Sequence, residues 1–242
     1  MIDQLEAEID EVHETIDRVE VTLRPPESPM AAYPPKVITL ADGNRMVVRE
    51  VGRDAVPRLL EAVRPLIAVQ QDYYDIVAAR VYAELLGWYR FRVKDEFCLV
   101  GTIKGELVGL VNSRMVTEKI GMSYHTLAFR RGGRIGAHLF ASKMEHHFDI
   151  LKQEEVWIVA ESPNGLRRWM GEYGLVFRPE QWHELGGGPT YVLTKDLWEK
   201  NKSGKCLGTR PVSKELLNES RKMVLPQTYV QIPNYEPSVA ST

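Results

Sequence analysis

Apolar residues recur along this chain in two rhythms, one helical and one alternating. Ile2, Leu5, Ile9, Val12, Ile16 and Val19 step by threes and fours, flanked by Glu6, Glu8, Asp10, Glu11, Glu14 and Asp17. That heptad seam predicts an amphipathic helix over residues 1–24. So short a helix cannot bury its seam alone, so it packs on its own domain or on a second copy, which makes a homodimer one expected outcome. Pro25, Pro26, Pro29, Pro34 and Pro35 come next. Proline has no amide to give to a helix interior or a central strand, so residues 25–35 read as a linker.

From Lys36 the alternating rhythm takes over. Val37-Ile38-Thr39-Leu40 and Met46-Val47-Val48 flank Asp42-Gly43-Asn44, a hairpin signal. Helical periodicity predicts two helices, over residues 54–69 and 72–86, with Gly87 as a cap for the second. The runs 97–103 and 107–111, parted by Lys104-Gly105-Glu106, form a second hairpin, and residues 124–129 extend it into a meander. Ile135, Leu139, Phe140, Met144, Phe148 and Leu151 keep a helical period. Then come a buried-type strand at 155–160, a short helix at 164–173, and strands at 174–177 and 190–193. The expectation is an α/β fold with a mixed, mostly antiparallel central sheet flanked by helices. The domain is expected over 36–200, and glycines and prolines from residue 201 onward predict an extended C-terminal arm over 201–242, with one helix-like piece from Ser213 to Val224. Whether the arm wraps its own domain or a neighbour stays open.

Composition narrows the function classes. With 44% hydrophobic and 26% charged residues the chain reads as a globular protein, and a formal net charge of -2 gives no general attraction for nucleic acid or an anionic membrane. No apolar run reaches the roughly 18 residues that span a bilayer. Cys98 and Cys206 are far apart and lack metal-ligand spacing, so neither a disulfide framework nor a metal site is indicated, and a cytoplasmic location is expected. His146 and His147 lack the i, i+4 spacing of a helical metal site and read as surface and helix-packing residues.

The candidate chemistry lies in Arg130-Arg131-Gly132-Gly133-Arg134-Ile135-Gly136-Ala137, between a strand and an amphipathic helix. A helix N-terminus leaves backbone N–H groups free, glycines let an anion approach them, and arginines add charge that can grip phosphate oxygens. On the loop alone, a tight turn carrying solvated charges is the competing reading.

With its context, residues 36–198 resemble the GNAT (N-acetyltransferase) superfamily. The family's acyl-CoA motif, Arg/Gln-x-x-Gly-x-Gly/Ala after the fourth strand, is matched at Arg131 and Gly136, while Arg134 stands where the internal glycine is expected. The resemblance implies that the loop at 131–137 cradles the pyrophosphate of acetyl-CoA or another acyl-CoA. Backbone from about Thr126 to Phe129 would then bond the pantetheine arm like an added strand, with Leu127 and Phe129 as its named contacts and an N–H near Leu127 as the donor to the developing oxyanion, and Asn164 would add a cofactor contact. It also implies that this strand and the one at 155–160 splay apart. The family's usual tyrosine, the acid for the leaving thiolate, is Met170 here, which leaves Tyr173 as the nearest phenol. His125 and Glu161, each at a strand edge near the expected cleft, are the candidate bases. By position, Trp182, His183 and Glu184, near a glycine-rich loop at 186–188, would border the acceptor site.

Acetyl transfer to a primary amine, on a small molecule or a peptide, is the leading expectation, by direct attack. Two alternatives stand beside it: a catalytically inactive GNAT-like domain serving assembly or acyl-CoA sensing, and a nucleotide- or phosphate-binding domain unrelated to acyl transfer.

Overall fold

The computed structural model describes residues 18, 19, 21–186 and 188–230. Chain order is β1 (Lys36–Thr39), β2 (Arg45–Val51), α1 (Val56–Val63), α2 (Tyr74–Tyr89), β3 (Glu96–Ile103), β4 (Glu106–Met115) and β5 (Ile120–Ala128). It continues with α3 (Ile135–Glu145), β6 (Glu155–Val159), α4 (Pro163–Tyr173), β7 (Val176–Phe177), β8 (Thr190–Thr194), α5 (Lys195–Asn201) and α6 (Lys214–Ser220). Among the described residues the strands form one eight-stranded sheet in the order β1-β2-β3-β4-β5-β6-β8-β7. Each neighbouring pair is antiparallel except β5 and β6, which run parallel because the helical crossover through α3 returns the chain in the same direction. The fold is thus the expected mixed, mostly antiparallel α/β arrangement.

β3 explains why its sequence is a nearly continuous apolar run: the sheet is covered on both faces. Cys98 and Val100 pack with Leu59, Leu85 and Leu127 under α1 and α2, whereas Phe97 and Leu99 pack with Met46 and Leu139 under α3. Period-two alternation sends successive side chains to these two layers, and both are dry. A third cluster, with Phe140, Phe148, Ile158, Tyr173 and Trp198, fills the space between α3, β6, α4 and α5.

Some boundaries depart from expectation. Pro65 follows the end of α1, and the chain goes on as a 3-10 turn over Arg64–Ala68. Gly87 does not cap α2; it lies within the helix, which ends at Tyr89 with Arg90 as its cap. Gly174, expected in a strand, instead caps α4 with φ +64. His146 and His147 are buried, not on the surface. They lie in a π-helical turn, His146–Ile150, that carries α3 inward against Phe97.

The prolines at 25–35 do not make a free linker. Tyr33 is buried, its amide donates to Glu50 Oε2 at 2.6 Å, and its hydroxyl donates to Glu145 Oε2 at 2.6 Å. The described part of the C-terminal arm, up to residue 230, packs on its own domain. Thr209 pairs with Val37 through bonds of 3.1 and 2.9 Å, and Val224 accepts from Leu107 at 2.9 Å. Arg210 grips Glu145 through both terminal nitrogens, at 2.9 and 3.2 Å. Of the predicted N-terminal seam, Ile2 to Ile16 lie outside the described residues; Val19 is exposed. No helix among the described residues is long and apolar enough to cross a membrane.

Candidate active site

The cleft originates in a register change between β4 and β5. Val111 pairs with Thr126 but Ser113 pairs with Ser123, so Asn112 faces both Tyr124 and His125. A bulge of this kind bends its strand. On the other side of β5 the parallel pairing with β6 runs from Ile120 and Glu155 to Ser123 and Ile158 and stops there. Beyond the bulge the strands part, and a cleft of about 860 Å³ opens between them, reaching from His125 and Glu161 to the loop at 130–136. The expected splay is therefore present, and the bulge is its local cause.

The bulge also decides which backbone groups face the gap. Phe129 gives its amide to Val108 O at 2.9 Å. Antiparallel alternation turns Leu127, two residues earlier, toward β4 as well. Thr126 and Ala128 are left with their N–H and C=O groups toward the opening. Within the stretch expected to meet a ligand, Thr126 to Phe129, the alternation corrects the choice of Leu127 and Phe129, which turn to β4, to Thr126 and Ala128. The Tyr74 hydroxyl donates to Ala128 O at 3.3 Å, closing one side of the gap.

At the far end, Gly132, Gly133 and Arg134 all have positive φ, at 102, 56 and 55 degrees. Only glycine adopts the first of these readily. Arg134 caps α3 from the left-handed region, with its carbonyl accepting from His138 at 3.0 Å. Its side chain is 63% exposed, and its guanidinium reaches Glu172 Oε1 on α4 at 2.9 Å; both residues line the cleft. Arg131 is paired with Asp72, just before α2. Ile135 and Ala137 bury their side chains, so Gly136 and Ala137 present first-turn amides that have no partner within the helix. Asn164 is the second residue of α4, between Ser162 and Gly165, which line the cleft.

His125 occupies the opposite end, at the bulge. Its Nε2 lies 2.9 Å from Glu84 Oε1 and its Nδ1 lies 3.1 Å from Glu161 Oε2, so both candidate bases stand together. Arg80 pairs with Glu161 from α2. Asn112 fixes the bulge, accepting the His125 amide at 3.2 Å and donating to Glu84 at 2.6 Å and to Glu96 at 3.2 Å. Tyr173 is elsewhere: it is 1% exposed, set between Phe140 and Trp198, and does not line the cleft. Burial pushes its phenol well above the usual range, so it has neither the position nor the proton affinity of an acid here.

Three participants escaped the sequence reading. Glu84 shows only as the i+4 partner of Arg80 on α2, a spacing common on solvated helix faces. Asn112 lies inside an apolar strand run, where it reads as an interruption. Lys143 was the legible one, because a lysine three residues after Phe140 stands on the buried stripe of α3. It is 1% exposed, lines the cleft, and donates to His125 O at 2.9 Å and to Asn112 O at 3.4 Å. Burial pushes its ammonium down to about 7. Among the residues expected at the acceptor border, Glu184 accepts from the Tyr124 hydroxyl at 2.6 Å and from Arg114 at 2.6 Å. His183 is buried against Ser123 O, and Trp182 is exposed.

No family model matches the sequence, and no curated protein matches it. Solved structures do resemble it. An uncharacterized protein (bh2621) from Bacillus halodurans is 14% identical, with a TM-score of 0.53 over 73% of this chain and 98% of the other. The GNAT domain of S. lividans PAT is 17% identical, with a TM-score of 0.44 and coverage of 66% and 96%. Mycobacterium smegmatis RimJ in complex with CoA-disulfide is 14% identical, with a TM-score of 0.45 and coverage of 72% and 91%. At such identities the likeness is one of fold. With its antiparallel meander, the parallel strand pair that splays at a bulge, and the arginine-glycine loop opening the crossover helix, this chain shares its fold with the Bacillus halodurans protein.

Proposed function

We propose that the protein is an acyl-CoA-dependent N-acyltransferase, in the simplest form moving an acetyl group from acetyl-CoA to a primary amine by direct attack. The observation that carries this reading is a strand edge, Thr126 and Ala128, freed by the bulge and running from an anion-binding loop to a histidine between two carboxylates.

The residues fit an acyl-CoA along the whole cleft. Gly132 and Gly133 leave the loop backbone open, and nothing lies within 4 Å of the point where a Gly132 Cβ would stand. Amides of Gly133, Gly136 and Ala137, with Arg131, supply donors and charge for a pyrophosphate. The edge of β5 offers the pantetheine amides an added-strand pairing, and the Thr126 N–H is the donor available to a developing oxyanion. His125 takes the proton from the attacking amine. Nδ1 is the nitrogen open to that proton, since Glu161 Oε2 lies 3.1 Å away without bonding it, while Glu84 holds Nε2 and fixes the ring's orientation. Glu161 also borders the cleft, where a cationic amine would approach.

A second reading has one observation in its favour: α4 offers no tyrosine to the cleft, since Tyr173 is buried. A domain that senses acyl-CoA without turnover would bind the same ligand. Release of free CoA thiol from acetyl-CoA, measured with a panel of primary amines, separates the two. Amine-dependent release abolished in His125→Ala supports the transferase; saturable binding without release for any amine supports the sensor. Absence of acetyl-CoA binding at high micromolar concentration overturns both.

A further inference from the structure

Lys143 is a buried cation without an anion. Its Nζ bonds two backbone carbonyls, Asn112 O and His125 O, on either side of the bulge. No carboxylate of the described residues lies within ion-pair distance of it. The titratable groups facing it are Glu84 on α2, Cys98 on β3, His125 on β5, and His147 in the turn that continues α3. None of them contacts the ammonium through its side chain. Carbonyl dipoles satisfy two of the three N–H bonds but do not neutralise the charge, and a desolvated ammonium is costly unless an anion arrives. The Phe140 ring lies 5.6 Å from the ammonium, and both side chains border the cleft near the point where β5 and β6 separate.

The other cleft cations stand at the loop, Arg130, Arg131 and Arg134, or on α4, Arg167 and Arg168, away from the bulge; Arg131 and Arg134 bridge to Asp72 and Glu172. Tyr124, the phenol nearest the bulge, donates to Glu184. At the reacting end Lys143 is therefore the group available to an anion that forms during the reaction. We propose that Lys143 is the acid of acyl transfer: its ammonium pairs with the sulfur of the acyl donor as the C–S bond breaks and gives that sulfur a proton. The step balances. The amine nitrogen forms the C–N bond and loses its proton to His125, while the thiolate leaves with the C–S electron pair and takes a proton from Lys143 Nζ. A proton passes back through solvent as products leave, and no oxidant or further reactant is needed. A lysine held down to about 7 by burial suits this exchange with a thiol.

This rests on the acyl-CoA reading, and the test keeps the two apart because it needs no acceptor. Free CoA is bound to the intact protein, binding is measured calorimetrically, and the thiol is titrated by the ultraviolet absorbance of its thiolate. In the wild type the bound thiol should ionise about 1–2 pH units below free CoA, because the thiolate–ammonium pair keeps Lys143 protonated at a pH where the free protein has lost that proton. Lys143→Met should bind CoA but lose that shift, and Lys143→Arg, which keeps the charge, should retain it. A bound thiol that titrates like free CoA in the wild type, or a shift that survives in Lys143→Met, overturns the role of Lys143 and leaves the acyl-CoA reading standing. Failure of the wild type to bind CoA overturns both. Should Lys143→Met not fold, the wild type and Lys143→Arg decide: with Lys143 in this role both show the lowered thiol, and a shift absent from either overturns it.

Discussion

The guanidinium of Arg134 lies 2.9 Å from Glu172 Oε1 on α4, so its side chain leaves the loop and reaches across the cleft that both residues line. Its backbone does what a glycine would do there, holding a left-handed φ of 55 degrees at the N-terminus of α3. The amides on either side remain presented. An arginine at this position is therefore compatible with an anion-binding loop, at the strain of one left-handed residue.

That arrangement orders the effects of loop substitutions. Arg134→Gly relieves the strained φ and should keep acetyl-CoA affinity within about threefold of wild type. Gly133→Val should weaken binding by about tenfold or more. Gly133 has φ +56, and its Cβ would stand 3.1 Å from Leu40 Cδ1, so a branched side chain forces the loop to move. Calorimetric titration of both variants checks the order; equal affinity for the two would mean that the loop does not hold the ligand.

His125 and Tyr173 make opposite predictions. His125→Gln should lower amine-dependent thiol release by about 10²–10⁴-fold while acetyl-CoA binding persists. Tyr173→Phe should leave turnover within about twofold, because the phenol sits among Phe140 and Trp198 and not in the cleft. Steady-state rates with saturating acetyl-CoA measure both, and a large loss in Tyr173→Phe would return that residue to the mechanism.

The Glu145 junction should govern acid stability. Burial alone would raise its carboxyl, but Arg210, Lys36 and Tyr33 outweigh that and hold it at about 2. With a lowered folded-state pKa, its contribution is full above the unfolded value, 4.5, and is lost as pH falls toward about 2. The lost stability amounts to about 3 kcal/mol. Denaturant melts of Glu145→Gln should show lower stability at neutral pH and a flatter decline across that window. Because the arm also buries Val212, Met223 and Val230 and pairs with Val37 and Leu107, deletion of residues 201–242 should cost more than Glu145→Gln.

His146 is a stability defect that can be repaired. Both of its ring nitrogens are buried without a partner, and the ring packs on Phe97 at 4.3 Å between centroids. Burial lowers its pKa from 6.5 to about 4. The unfolded chain takes up the proton first, so stability falls as pH drops from 6.5 toward about 4. His146→Leu should raise neutral-pH stability by about 1–3 kcal/mol and remove part of that acid sensitivity, leaving the share of His147. Thermal melts at pH 7 and pH 5 read both effects, and a destabilised variant would point to a hydrogen bond that the ring makes.

The element order was legible because it rests on periodicity and turn chemistry, which are local. Alternation and the Asp42-Gly43 and Lys104-Gly105 turns mark the hairpins, and the arginine-glycine run marks the start of α3. What could not be read is set by partners distant in sequence. Leu127 and Thr126 look alike as strand residues, and the register shift at Asn112 decides which of them faces the gap. Tyr173 and Lys143 exchange their expected importance for the same reason. Both lie on helices, and the rotation of each helix against the sheet sends the tyrosine into a core and the lysine to the cleft. Glu84 joins His125 from α2, 41 residues earlier, a distance that no short motif spans.

The edge of β5 that the bulge frees is where an acyl donor would pair. Residue-resolved amide hydrogen exchange, with and without saturating acetyl-CoA, reads that edge directly. The Thr126 and Ala128 amides should exchange readily in the free protein and be protected about tenfold or more by the ligand, with Leu127 and Phe129 slow in both states. Bound acetyl-CoA that leaves Thr126 and Ala128 unprotected would contradict it.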